Sequence, residues 1–184
     1  MTEQVIDTLI YNRQEFPILA ISGRLPIPED FGMKPMSPMT SCYRGFYSRY
    51  ICEEKLFLDE ITLRTRDDKY ARIENIQPFR NFRDLWGMVT YHGLQLPLNF
   101  TGGLVIGTDF RRGTGGSIYL SWWKSYSKYL ELLFEEGNLV QEIDLSEKMP
   151  LFSELPNDAN EIMGVFILKY DFSYTLTLRI KDES

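Results

Sequence analysis

Tyr129-Leu130-Glu131-Leu132-Leu133-Phe134-Glu135-Glu136-Gly137-Asn138-Leu139-Val140-Gln141-Glu142-Ile143-Asp144-Leu145 is the stretch that decides the fold. Apolar and polar residues alternate on both sides of a glycine, the period-two signature of a hairpin. A two-residue turn at Gly137-Asn138 suits glycine at its first central position and sets residue 134 opposite 141, 132 opposite 143 and 130 opposite 145. The two strands then agree on their faces. Leu130, Leu132 and Phe134 share one face with Leu145, Ile143 and Gln141. The other face sets Glu131 opposite Asp144 and Leu133 opposite Glu142, with Glu135 nearby. Like charges directly opposite destabilise a strand pair. The acidic face therefore reads either as a solvated outer surface or as a surface that attracts a basic partner.

Working outward, further strands are expected at residues 8–11, 16–21, 44–52, 55–63, 103–107, 117–122, 164–170 and 174–180, with turns at 12–14, 53–54 and 171–173. Few stretches repeat apolar residues at helical spacing. The best helical candidates are the polar stretch 79–85 and a short one at 158–163. The expectation is a single α+β domain over residues 1–184, mainly β, with an antiparallel sheet built from hairpins and one or two short helices. Residues 26–40 hold Pro26, Pro28, Pro35 and Pro38 with Met33, Met36 and Met39 among them. Proline removes backbone donors and methionine fills irregular apolar gaps, so this is a loop that packs on its own domain or on a partner.

Composition sets the limits. The chain has 184 residues, 20 Lys plus Arg against 26 Asp plus Glu, a net charge of -6, and 43% hydrophobic residues. That is enough apolar side chain to form a core without disulfides or metal. Net negative charge gives no field for a phosphate backbone, so no nucleic-acid partner is expected without a local basic patch. The N-terminal Met1-Thr2-Glu3-Gln4-Val5-Ile6-Asp7 lacks the basic and apolar regions of an export signal, and no apolar run approaches membrane-spanning length. The expected location is cytoplasmic, with no membrane association and Cys42 and Cys52 as reduced thiols in one extended stretch. His92 is the only histidine and neither cysteine is in a CxxC pair, so no metal site or cofactor is expected.

Three constellations could carry chemistry. Gly113-Thr114-Gly115-Gly116-Ser117 after Arg111-Arg112 could cradle a phosphate, although it lacks the Gly-Lys-Ser/Thr ending of a nucleotide loop. Any Ser-His or Cys-His catalysis on this chain would have to use His92, the one side chain with an unperturbed pKa near neutrality. Trp122, Trp123 and Tyr126 form an aromatic cluster able to stack on a sugar or nucleobase.

Thr40-Ser41-Cys42-Tyr43-Arg44-Gly45-Phe46 resembles the Cys-Trp-Arg-Gly-Tyr stretch of a family of small bacterial proteins, with Tyr43 in place of the tryptophan. Lys55-Leu56-Phe57-Leu58 is similar to that family's Lys-Leu-Tyr-Leu strand, and Phe100-Thr101-Gly102-Gly103-Leu104-Val105-Ile106-Gly107 to its Phe-Ser-Gly-x-Leu-x-Ile-x-x-Gly segment. The small acidic members of that family are similar to immunity proteins of bacterial toxin systems. Acidity, size, the lack of a catalytic constellation and this resemblance together point to a non-enzymatic protein that binds and inhibits a basic toxin, and the acidic face of the hairpin makes Glu131, Glu135, Glu142 and Asp144 the expected partner-binding residues. The alternatives are a small-ligand module using Trp122, Trp123 and Tyr126, and a hydrolase using His92. Arg44, beside Gly45, is expected to be a partly buried ion-pair anchor.

Overall fold

Asn12 and Arg13 both have positive φ, 49° and 62°, and two such residues in succession make the turn whose twist matches a hairpin. They join β1 (Thr8–Tyr11) to β2 (Gln14–Ser22). The chain continues through β3 (Phe46–Cys52), β4 (Leu56–Leu63), β5 (Phe79–Arg80), β6 (Val89–Tyr91), β7 (Leu96–Pro97), β8 (Gly102–Phe110), β9 (Tyr126–Glu135) and β10 (Asn138–Asp144). This computed structural model describes residues 5–81, 85–110 and 126–147. Among them the strands form a mixed ten-stranded sheet in the order β10-β9-β8-β2-β1-β3-β4-β6-β5, with β7 paired to β4.

Strand β2 belongs to both halves of this sheet. Its first residues pair with β1, from Tyr11 opposite Gln14 to Thr8 opposite Pro17, and its last pair with β8, from Ile18 opposite Ile106 to Ser22 opposite Gly103. Pro17 has no N–H to give and stands where the partner changes, followed by a bulge between Ile18 and Ala20. The halves curl towards each other and enclose one core. Leu9, Tyr50, Leu58, Ile61, Leu104 and Leu132 are fully buried in it, and Phe100 meets Phe134 edge to face at 5.7 Å.

The sheet is not wholly antiparallel, because β1 and β3 run parallel. The proline-rich excursion between β2 and β3 makes this possible, since parallel neighbours need a long crossover. It packs on its own domain: Pro28 is buried and Met33 is 2% exposed within the core. Strand β3 begins at Phe46, so Cys42 lies in a turn whose carbonyl accepts the Gly45 N–H at 3.0 Å. Both cysteines are free and buried.

Helix is nearly absent from the described residues, where one 3-10 turn spans Pro28–Phe31. The expected helix at 79–85 begins instead as β5, because Phe79 pairs with Thr90 and Arg80 with Val89. The expected helix at 158–163 and the expected strands at 117–122, 164–170 and 174–180 lie outside the described residues.

The β9–β10 hairpin is present, but its turn is Glu136-Gly137, with φ of 49° and 84°. Gly137 is needed there: a Cβ would sit 1.9 Å from the Leu98 carbonyl oxygen. Val140 bulges out, so Glu142 pairs with Leu132, Ile143 with Glu131 and Asp144 with Leu130. Glu131 therefore does not face Asp144. It lies opposite Val105 of β8 and is 3% exposed.

Arg44 is an ion-pair anchor, as expected. Its guanidinium donates to both Asp7 carboxylate oxygens, at 2.8 and 3.3 Å, and stacks 4.7 Å over Phe46. Asp7 is 1% exposed and also accepts the Ser48 N–H at 2.8 Å. Removing the cation leaves a buried, uncompensated carboxylate, which costs about 3–5 kcal/mol. Arg44→Met is expected to lower unfolding free energy by that amount in urea titrations; a loss under about 1 kcal/mol would show that the pair does not anchor β3.

Candidate functional site

Two acidic turns meet at one end of the molecule. Glu53-Glu54 closes the β3–β4 hairpin and Glu135-Glu136 lies at the tip of the β9–β10 hairpin. Backbone hydrogen bonds hold them side by side: Leu56 N–H to the Gly137 oxygen at 2.8 Å and Leu139 N–H to the Glu54 oxygen at 2.9 Å. The second turn is also tied to the loop before β8, by Gly137 N–H to the Phe100 oxygen at 2.8 Å and Glu136 N–H to Thr101 Oγ1 at 3.0 Å. All four carboxylates are exposed, and none makes an ion pair among the described residues.

From this junction β10 carries the acidic surface towards the β1–β2 turn. Glu142 faces back across the end of β1, where Tyr11 donates its hydroxyl proton to Glu142 Oε2. Burial and the adjacent Glu142 push the Tyr11 phenol up to about 12. Asp144 accepts the Ser146 N–H at 2.8 Å, and Ser146 with nearby Lys128 holds its carboxyl below the usual range. Glu142 and Asp144 are both exposed, so the acidic surface keeps Glu135, Glu142 and Asp144 and loses Glu131.

Beside Tyr11 opens a cleft of about 790 Å³ between the β1–β2 turn and strands β8 and β9. Tyr11, Phe16 and Tyr126 supply its aromatic wall, with Glu15, Lys128 and Asp144 charged around it. Tyr126 is 8% exposed, meets Tyr129 edge-on at 6.2 Å, and packs against Gly107, where a Cβ would lie 2.7 Å from its ring. Of the three residues expected to stack on a ligand, Tyr126 lines this cleft; Trp122 and Trp123 lie outside the described residues, as does the glycine loop at 113–117.

His92 stands elsewhere, on the outer face of β3, β4 and β6. The Asp59 bulge in β4 turns two neighbouring carboxylates towards Arg49 of β3, with Asp59 Oδ2 at 2.8 Å and Glu60 Oε2 at 3.0 Å from Nη2. His92 Nδ1 meets the same Glu60 oxygen at 2.6 Å. Glu60 orients the ring, but no hydroxyl or thiol among the described residues hydrogen-bonds to it, so the arrangement is an ion-pair chain without a nucleophile. Sequence reasoning missed Glu53, Glu54 and Glu136. Their pairing in turns was visible, but their meeting depends on contacts that no local pattern encodes.

Among the described residues no three His, Cys, Asp or Glu side chains are grouped to hold a metal, and no helix is long and apolar enough to cross a membrane. The fold and site together define a mainly β protein with an acidic end and an adjoining cleft. Comparison of the chain with protein-family models, curated proteins and solved structures finds no match.

The Tyr11 environment gives a pH signature. Its folded pKa lies above the unfolded value of 10.0, so the unfolded chain loses the phenol proton first as pH rises. The contribution of Tyr11 to stability is fully present below about pH 10 and declines up to about pH 12. Tyr91, pushed up to about 12 by burial, acts in the same direction. Denaturant unfolding across this range is expected to show a shallower decline for Tyr11→Phe than for wild type; parallel curves would mean that Tyr11 titrates as in the unfolded chain.

Proposed function

We propose that this chain is a protein-binding inhibitor of the immunity type, and that its acidic end covers a basic partner such as a toxin. The observation that carries the reading is the junction of Glu53-Glu54 with Glu135-Glu136. Four exposed carboxylates without an ion pair among the described residues, on turns held together by backbone hydrogen bonds, are unfavourable for the isolated fold. A basic surface would relieve that repulsion on binding. Electrostatic complementarity of this kind raises association rate and specificity more than final affinity. Glu142 and Asp144 extend the same surface along β10.

A second reading rests on the cleft beside Tyr11, whose volume and mixed aromatic and charged lining suit a small ligand such as a sugar or nucleobase. Intrinsic fluorescence against a panel of such ligands separates the readings, since a saturable change without any protein partner supports the cleft. A hydrolase using His92 has no comparable support, because nothing nucleophilic is presented to the ring among the described residues.

The direct test is tagged-protein capture from lysate of the chain's own host at low and moderate salt, followed by binding kinetics with the protein recovered. A stoichiometric basic partner is expected. The paired reversals Glu53→Lys with Glu54→Lys, or Glu135→Lys with Glu136→Lys, are each expected to slow association at least about tenfold at low salt and to flatten its salt dependence. Glu29→Lys, exposed on the 3-10 turn, is expected to leave the rate nearly unchanged. Equal effects from all these variants, or a recovered partner indifferent to them, would remove the acidic end from the interface.

A further inference from the structure

At the far end of β4 from the acidic turns, the 32–35 loop and the 66–71 segment face each other across a second cleft of about 780 Å³. The eight residues of β4 separate the two ends by roughly 26 Å of extended chain. Lys34, Arg66 and Lys69 line the cleft, and Asp67 is the one carboxylate among its lining residues. Asp67 accepts the backbone N–H of Lys69 at 3.3 Å. The neighbouring Asp68 is engaged elsewhere, with Arg80 at 2.5 Å and the Tyr70 hydroxyl at 3.1 Å.

The side chains of Lys34, Arg66 and Lys69, like those of Arg13, Lys55, Arg64, Arg72 and Lys128, make no ion pair among the described residues, whereas Arg24, Arg44, Arg49 and Arg80 each sit on a carboxylate; what sets the first three apart is that they line one cleft. Acids outnumber bases by 26 to 20 in the chain, so carboxylates are plentiful. Three cations and one carboxylate around one concavity leave a local positive excess that favours an anion there.

The walls are fixed in place before any ligand arrives. Pro35 bridges to Thr65, and Met36 N–H donates to the Arg64 oxygen at 2.7 Å. Thr65 Oγ1 donates to the Lys69 oxygen at 3.1 Å, which shapes the turn carrying Arg66 and Lys69. Beneath them, the buried Tyr91 hydroxyl donates to the Ala71 oxygen and lies 3.3 Å from Met33 Sδ, touching both walls. Preorganisation of this kind lowers the ordering cost of binding.

We infer that this cleft binds a small polyphosphate-bearing anion. Two lysines as point charges and one arginine with a planar fork match the several oxygens of linked phosphoryl groups better than a single carboxylate. The bounded volume fits a small molecule, and Tyr70 adds an aromatic wall that carries the Arg80 guanidinium 5.6 Å from its ring. The inference is independent of the acidic end.

Calorimetric titration with inorganic pyrophosphate and, separately, with adenosine triphosphate at constant ionic strength tests it. Wild type is expected to bind pyrophosphate saturably, and Arg66→Gln and Lys69→Gln each to weaken binding about tenfold. Lys55→Gln changes net charge equally but lies at the acidic end, and is expected to bind as wild type does. Unchanged circular dichroism in all variants keeps the comparison free of folding effects, as these side chains are exposed. Tighter binding of the nucleotide than of pyrophosphate supports the site and assigns the phosphates to a nucleotide; equal binding supports it with the phosphates alone recognised. No saturable heat with either probe, or equal weakening by Lys55→Gln, overturns the inference.

Discussion

The rest of the structure depends on β2 serving two partners. At Pro17 it loses a backbone donor, and at the adjoining bulge its pairing passes from β1 to β8. The main-chain accounts still close at that point, because Ile18 N–H donates to the Asp7 oxygen at 2.9 Å. A strand that changes sheet in mid-course forces the two halves to curl towards each other. Everything described at the acidic end follows from this, since the curl brings the tip of the β9–β10 hairpin against the β3–β4 turn, more than eighty residues away in sequence. The same Asp7 whose carbonyl serves β2 holds Arg44 and Ser48 with its carboxylate. One residue thus joins the strand switch to the start of β3.

Much of this could be read from sequence where structure is local. The β1–β2 and β3–β4 hairpins announce themselves by alternation around Asn12-Arg13 and Glu53-Glu54, and Met33 by the company of prolines. Strands β5 and β7 are two residues each and β6 three, too short for any period to register; β4 offers β6 and β7 an edge, and β6 in turn pairs with β5. The β9–β10 register differs from its local pattern for a related reason. Gly137 is required by the approach of the Leu98 carbonyl, a tertiary contact, so the turn centres one residue earlier than glycine preference suggests.

That displacement matters for function. With side chains alternating at period two, a turn shift and a single bulge redistribute every charge on the strand. Glu142 and Asp144 end beside Leu132 and Leu130, while Glu131 turns to a buried face. The acidic surface is consequently not the flat outer face of a hairpin. It is assembled from turn tips and a crossing strand, and the residues that dominate it come from separate parts of the chain. Sequence adjacency was a guide to which residues were acidic, but only the closure of the fold decides which acids act together.

The charge distribution that results is polar along β4. Glu53, Glu54, Glu135 and Glu136, without an ion pair among the described residues, collect at its beginning, Lys34, Arg66 and Lys69, likewise without one, just beyond its end, and the paired Arg49, Asp59, Glu60 and His92 lie between them. Net charge therefore describes this molecule poorly. A value of -6 implies general repulsion of anions, yet at a Debye length of about 8 Å in physiological salt the two ends are screened from each other across the strand. Each end presents its own local field to solution. An excess of acid over the whole chain is accordingly no obstacle to an anion-binding cleft where cations outnumber acids locally, as Lys34, Arg66 and Lys69 outnumber Asp67 while Asp68 is held by Arg80 and Tyr70.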